Sequence, residues 1–299
     1  MAAQTLDLEA IRSRFPALRA DSAAYLDGPG GTQVPDAVIA AMSGALAGGI
    51  GNLGGSFPAS HRSDAIVAGA RSAAADLFDA DPTEVVFGPN MTTLTFAFSR
   101  ALARRWVPGD EVVVTSLDHD ANVTPWRLAA ADRGVVVRTV DFDPADGTLD
   151  ATAVAGAIGP RTRLVAVTAA SNALGSVTPL ADIIAAAHAA GALVYVDAVH
   201  HSAHRLLSLR RLGADFIAAS AYKFFGPHIG MVVGRAAHLA SASPYKVVPA
   251  HDEGPERWET GTPAIESLAG VGAAIDYLAS LGTGDGRRNR LENAFEQIA

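Results

Sequence analysis

No cysteine occurs among the 299 residues. Disulfides, thiolate zinc sites and cysteine nucleophiles are therefore excluded. A basic excess is also missing. The formal net charge is −8, which argues against a general nucleic-acid or anionic-membrane binder but leaves room for a local pocket that takes one phosphate. No unbroken apolar stretch reaches the ~20 residues of a membrane span; the alanine-rich run at 185–192 is interrupted by His188 and Gly191. The N-terminus, MAAQTLDLEAIRSRF, carries early acids and no apolar core, so it does not read as a secretory signal, and a cytoplasmic location is expected. Charged residues are scarce as well, at 18% against 49% hydrophobic. That balance permits a sizeable core and argues against disorder.

What is present is an alternation. Short β-rich runs fall at 84–88, 111–115, 135–141, 164–169, 193–197, 216–220 and 231–234. Helical stretches separate most of them, including 92–105, 124–133 and 180–190. This rhythm predicts an α/β domain with a mostly parallel, seven-stranded sheet and helices on both faces. The near-continuous apolar character of the strands fits burial on both sides. Ahead of the first strand, residues 7–15 predict a short amphipathic helix. Pro35 suits the first turn of a helix reaching about Ala47. The Gly-, Asn- and Ser-rich segment 48–60 predicts a loop, and its length suggests a functional one. A helix at 63–78 follows. After Gly234 the pattern loosens: 249–263 reads as an ordered loop or a lid, and helices are expected at 264–281 and 288–299.

The chemistry concentrates in LVYVDAVHHSAHRLLSLRRLGADFIAASAYKFFGPHIG, residues 193–230. One apolar run ends on Asp197, the next on Ser220-Ala221-Tyr222-Lys223. Open parallel sheets place ligands at the carboxyl ends of their strands. Most lysines are solvated surface residues, but Lys223 follows a buried-type strand and sits between Tyr222 and Phe224-Phe225. A lysine there can form a Schiff base. Asp197 alone reads equally well as a helix cap or a turn residue. Paired with Lys223, it reads as the carboxylate that keeps a pyridine nitrogen protonated. Together the two call for pyridoxal phosphate.

Other strand ends offer partners. His119 is either a surface turn residue or a group that stacks on the ring and shuttles protons. Asn172 is a turn residue or a hydrogen-bond partner of the ring hydroxyl. Asn90-Met91-Thr92-Thr93 opens a helix, where backbone N–H groups and hydroxyls suit a phosphate, although a plain N-cap uses the same residues. Ser220 is a second phosphate donor. His200, His201 and His204 invite a metal reading, but their spacing matches no zinc pattern, and no metal is expected.

The residues also resemble a family. YLDGPGGTQVP, FGPNMTT, LDHDANVTPW, ASNALG, VDAVH, SAYKFFGPHIG and WETGTP are similar, in order, to the class V aminotransferase and cysteine desulfurase group of fold-type I pyridoxal-phosphate enzymes, in its cysteine desulfurase-like branch. The resemblance implies that Lys223 is the Schiff-base lysine, Asp197 the pyridinium partner and His119 the ring-stacking residue. It places Asn172 and His200 near the ring hydroxyl. Thr92, Ser220 and the Met91 N–H would hold the phosphate, with Tyr222 standing where many relatives have a His. Thr262 would reach the phosphate of a neighbouring subunit, which implies a homodimer with shared active sites. The implied organisation is an N-terminal segment 1–22, a cofactor-binding large domain 23–281, and a helix from 282 leading toward a small domain largely absent from this chain. Family members draw a substrate-clamping arginine, and desulfurases an acceptor cysteine, from that small domain. The expected activity is transamination, or lyase chemistry at a C–S or β-position, on an amino acid. Persulfide formation on a thiol of this chain is not expected. The rival readings are a catalytically idle cofactor-binding homologue that needs another chain and, more remotely, a metal-dependent hydrolase.

Overall fold

The computed structural model describes residues 6–20 and 23–298. The first five residues and positions 21–22 of the expected N-terminal segment lie outside the described residues. What is seen of it is two short helices, α1 (Leu8–Arg12) and α2 (Pro16–Ala20). The sequence predicts one helix over 7–15. Helix α1 ends at Arg12, a turn covers 13–14, and the second helix opens at Pro16, whose missing N–H and fixed φ suit a helix start and not an interior.

The chain then forms α3 (Asp36–Ala47) and α4 (Pro58–Phe78). Helix α4 starts five residues before the sequence-based boundary because Pro58 occupies its first turn. Seven strands follow: β1 (Val85–Gly88), β2 (Glu111–Thr115), β3 (Val136–Val140), β4 (Thr162–Thr168), β5 (Leu193–Asp197), β6 (Phe216–Ser220) and β7 (Gly230–Gly234). Between and after them lie α5 (Met91–Ala103), α6 (Thr124–Arg133), α7 (Ala151–Ala157), α8 (Leu180–Ala189), α9 (Leu209–Leu212), α10 (Ala236–Ser241), α11 (Ile265–Ser280) and α12 (Gly286–Ile298). Helix α7 is absent from the sequence reading. It is short, and its start is set by Asp150, whose side chain accepts from Thr152 N–H.

The strands form a single sheet in the order β1-β7-β6-β5-β4-β2-β3. Strand β7 runs antiparallel to both of its neighbours, and the remaining pairs are parallel. The mostly parallel sheet expected from the alternation is therefore present. Side chains alternate across it. Val194, Val196, Ile217 and Ala219 join one apolar cluster with α4, α8 and α11. Tyr195, Phe216 and Ala218 join the other, with α5 and α6. By the same alternation, Asp197 and Ser220 belong to the α5/α6 side. Ile217 is fully buried; truncation to alanine there would cost about 2–5 kcal/mol.

Two details fix the edge that carries the polar residues. Asn90 caps α5 by accepting from Thr93 N–H (2.8 Å). Gly230 lets β7 press against that cap: a Cβ at Gly230 would lie 2.2 Å from the Asn90 carbonyl carbon, closer than any side chain allows. The segment 249–263 is held at both chemistries available to it. Trp258 stacks on Phe98 at 4.1 Å with the rings 14° apart. Glu259 accepts two hydrogen bonds from Arg71 of α4 (2.9 and 2.7 Å) and one from Phe87 N–H (2.7 Å). It is an anchored loop more than a lid.

Candidate active site

Parallel strands β4, β5 and β6 end side by side, with Thr168 in register with Asp197 and Asp197 with Ala218. Asp197 closes β5 and is 5% exposed. Its Oδ1 accepts from Val199 N–H at 2.9 Å. Burial pushes this carboxyl up to about 6, against the opposing pull of that N–H, of His119 and of Lys223. Lys223 ends the tight turn after β6 and is 7% exposed. Its Nζ donates to the Pro29 carbonyl and lies 4.6 Å from the centroid of the Tyr222 ring. The Gly28–Gly30 turn is itself tied to the lysine's turn. Thr32 N–H and Oγ1 both donate to the Tyr222 carbonyl, and Phe225 N–H donates to Thr32 Oγ1. Phe225 takes a left-handed φ of 70° at this crossing.

His119 caps the turn Asp120–Asn122: its Nδ1 accepts from Ala121 N–H at 3.1 Å. In the neutral ring this leaves Nε2 to carry the proton. At the other end, Ser220 Oγ accepts from Met91 N–H (3.2 Å), so a buried hydroxyl meets the start of a thirteen-residue helix. The positive end of a helix dipole together with hydroxyl donors makes an anion site.

One cavity collects these groups. Met91, Thr92, His119, Asn172, Asp197, His200, Ser220, Tyr222 and Lys223 all line it. Thr262 does not. It is exposed, its Oγ1 lies 3.4 Å from Asn52 Oδ1, and it lines a separate hollow with Gly88, Thr93 and Trp258. A larger groove of about 1250 Å³, with Leu8, Ile11, Phe225 and Leu281 on its walls, has no lysine, histidine or aspartate among its described lining residues. Among the histidines, His200 is half-buried and held below its ordinary value by burial, His204 and Lys223. His201 is buried, its pKa lowered to about 4 by burial, and its Nδ1 has no hydrogen-bond partner among the described residues. Among the described residues, no three His, Asp or Glu side chains come together as a metal-ligand set.

The sequence reading missed three features. The chain has only two lysines. Lys246 pairs with Asp252 at 2.8 Å, so Lys223 is the only lysine of the cavity, and a simple count would have singled it out. The second is the Arg71–Glu259 pair, whose partners are 188 residues apart; an arginine set between Ala70 and the run Ser72-Ala73-Ala74-Ala75 of α4 was its one local sign. The third is Asp118, whose partners come from three different segments.

The residues present fit pyridoxal phosphate. An enclosed carboxylate, a buried amine and a helix-start cradle that the missing Cβ of Gly230 makes possible surround one cavity. A mostly parallel sheet of this order carrying that set at its strand ends defines a fold-type I pyridoxal-phosphate enzyme. The "Aminotransferase class-V" profile matches residues 24–295, and the chain belongs to that family. Pyridoxal phosphate is its cofactor.

The chain is 34% identical over 281 residues to a probable cysteine desulfurase of Pseudomonas aeruginosa, covering 89% of this chain and 70% of that one. Among solved structures it is similar to the cysteine desulfurase CsdA of Escherichia coli, with a TM-score of 0.85, 28% identity, and coverage of 96% of this chain and 74% of that one. It is also similar to the cystine C–S lyase C-DES, solved with its product cysteine persulfide, with a TM-score of 0.79, 26% identity, and coverage of 90% and 74%. Another solved form of C-DES carries glycine covalently linked to its cofactor. Nothing among these similarities supports the reading of an idle homologue. Among the described residues, no helix is long and apolar enough to cross a membrane.

Proposed function

We propose that this chain removes the α-proton of an amino acid and, where the substrate bears sulfur at Cβ, eliminates it by breaking the C–S bond. The observation that carries this reading is Lys223: one of two lysines, buried without an ion-pair partner among the described residues, on the strand end next to the buried Asp197. When bound, pyridoxal phosphate supplies an electron sink next to the substrate's Cα. Asp197 holds the proton on the ring nitrogen. His119, fixed by Ala121 N–H, presents its Nε2–H to the cavity. Ser220, Thr92 and the first N–H groups of α5 hold the phosphate. Lys223 anchors the cofactor's aldehyde carbon. As a free amine it takes the Cα proton, while the Pro29 carbonyl keeps it near the cavity.

In elimination the Cα–H pair becomes the Cα–Cβ double bond and the Cβ–S pair leaves with sulfur. These residues hold no thiol to receive that sulfur. It would therefore leave on the substrate fragment, the outcome that the name of C-DES and its product describe for that protein. Transamination is the alternative fate of the same deprotonated substrate. Thr262 does not line its own chain's cavity, which is compatible with a homodimer in which it serves the neighbour's.

The test is product analysis of cofactor-loaded protein with cysteine, cystine and alanine. Pyruvate with released sulfur species from the first two supports elimination. A keto acid formed with sulfur retained would replace it by transamination, and no turnover of any amino acid would end the enzymatic reading.

A further inference from the structure

Beside Asp197 lies a second carboxyl with no place in the mechanism above. Asp118 is a half-buried residue whose carboxyl turns inward among groups that are themselves buried. Its Oδ1 accepts from Asn122 Nδ2 at 2.7 Å. Its Oδ2 is hydrogen-bonded to the Thr115 hydroxyl, and the Thr168 N–H donates to the same carboxyl. Thr115 and Asn122 are fully buried and Thr168 is 4% exposed. The Asn122 amide cannot turn over, because its Oδ1 accepts from Trp126 Nε1–H at 3.0 Å. Thr168, which donates to Asp118, is also the register partner of Asp197. The two carboxyls therefore flank one residue of β4 at the same end of the sheet.

Two negative charges in so poorly solvated a region cannot both persist cheaply; such a pair shares a proton. The surroundings decide where it goes. Asp197 faces His119 and Lys223, both of which favour its charge. Asp118 meets hydrogen-bond donors that favour its charge, but burial outweighs them and Asp197 adds to the opposition. The Thr115 hydroxyl can donate or accept, so it accommodates a neutral acid as well as an anion.

We propose that Asp118 is a positioning residue that works as a neutral acid. It takes the proton the pair must share and so leaves Asp197 ionised for the cofactor's ring nitrogen, while its bonds to Thr115 and Asn122 set the loop that carries His119. This rests on the assignment of Asp197 to that nitrogen. It makes the two carboxyls opposites under the same substitution. An amide at 118 reproduces the neutral acid, its NH₂ facing Thr115. An amide at 197 destroys the charge.

The experiment compares wild type with Asp118→Asn, Asp118→Ala and Asp197→Asn by two readouts: affinity for pyridoxal phosphate by fluorescence titration, and thermal midpoint of the cofactor-free protein against pH. Asp118→Asn should bind within about 3-fold of wild type near pH 6, and should lose part of the fall in midpoint that wild type shows between about pH 6 and 8. Asp118→Ala, which strips the bonds to Asn122 and Thr115, should bind about 10-fold weaker at every pH, and Asp197→Asn at least as weakly. An Asp118→Asn protein as impaired as Asp197→Asn, or one with the wild-type profile of midpoint against pH, would overturn the proposal. If instead Asp197→Asn binds like wild type, the ring-nitrogen assignment itself fails, a result separable from the other two.

Discussion

The two ends of the sheet treat buried carboxylates in opposite ways. Asp215, just before β6 at the amino end, is 3% exposed. It accepts from Val194 N–H (2.7 Å) and is bonded to Nε2 of His188 from α8 and of His238 from α10, both at 2.9 Å. Burial alone would raise its pKa, but the two histidines and the N–H outweigh it and hold the group below the ordinary carboxylate range. Asp197, at the opposite end of the β5–β6 pairing and equally enclosed, has one N–H donor and is pushed up to about 6. Asp118 reaches about 7, again through burial. The amino end is saturated and serves to join β5, β6, α8 and α10. At the carboxyl end Asp118 has its own hydrogen bonds, but Asp197 has a single N–H donor, as befits a group that a ligand is to complete.

Substitutions should separate the ends cleanly. The largest effect belongs to Lys223→Ala, which should abolish cofactor-linked absorbance and lower turnover by roughly 10²–10⁴-fold with little change in the melting of the cofactor-free protein. Asp197→Asn should come next, at roughly 10²-fold in turnover. Asp215→Ala should do the reverse. It leaves His188, His238 and Val194 N–H without their acceptor, so chemical denaturation should show a loss of about 3 kcal/mol, with cofactor affinity in the surviving folded protein unchanged. A drop in affinity matching the loss of stability would erase the distinction between the ends.

The pH dependence carries the same contrast in sign. The folded pKa values of Asp118 and Asp197 are raised, so their contribution to stability is full below the unfolded value of about 3.9 and is lost as pH climbs through about 6 to 7. Asp215 is depressed, so its contribution is present above that unfolded value and lost as pH falls through its lower folded value. Denaturation of the cofactor-free protein should show both arms, and bound cofactor should flatten the upper one. The smallest effect is expected from Ser220→Ala. It removes one acceptor of Met91 N–H and the proposed phosphate donor, costing about 1 kcal/mol, or ~5-fold in cofactor affinity by titration.

Much of this was legible in the chain because strand-end chemistry is local. An apolar run that stops on an acid or a lysine announces both the strand and the direction of its last side chain, and β5 and β6 lie where those runs predict. Met91, Thr92, His119, Asn172 and Ser220 followed from the same logic at neighbouring strand ends, and His200 and Tyr222 from the family resemblance; all seven line the cavity. Partnerships across the fold were not legible. Asp118 reads as one acid in LDHDAN until Thr115, Asn122 and Thr168 are brought round it. Glu259 reads as a polar loop residue until Arg71 arrives from α4. Proline placement explains the boundary errors at α2 and α4. The short α7 was hidden because seven weakly patterned residues carry too little periodicity to register. Thr262 lies outside its own chain's cavity, and its service to a second subunit, implied only by the resemblance, remains a proposal for sedimentation analysis.

The central claim is that Lys223 is the amine that holds the cofactor. Borohydride reduction of the cofactor-loaded protein followed by peptide mapping tests it most directly, since the chain offers just Lys223 and Lys246 as side-chain candidates. The prediction is a single modified peptide containing Lys223, lost in Lys223→Ala. Modification at Lys246, or no modification of a protein that has bound the cofactor, would contradict it.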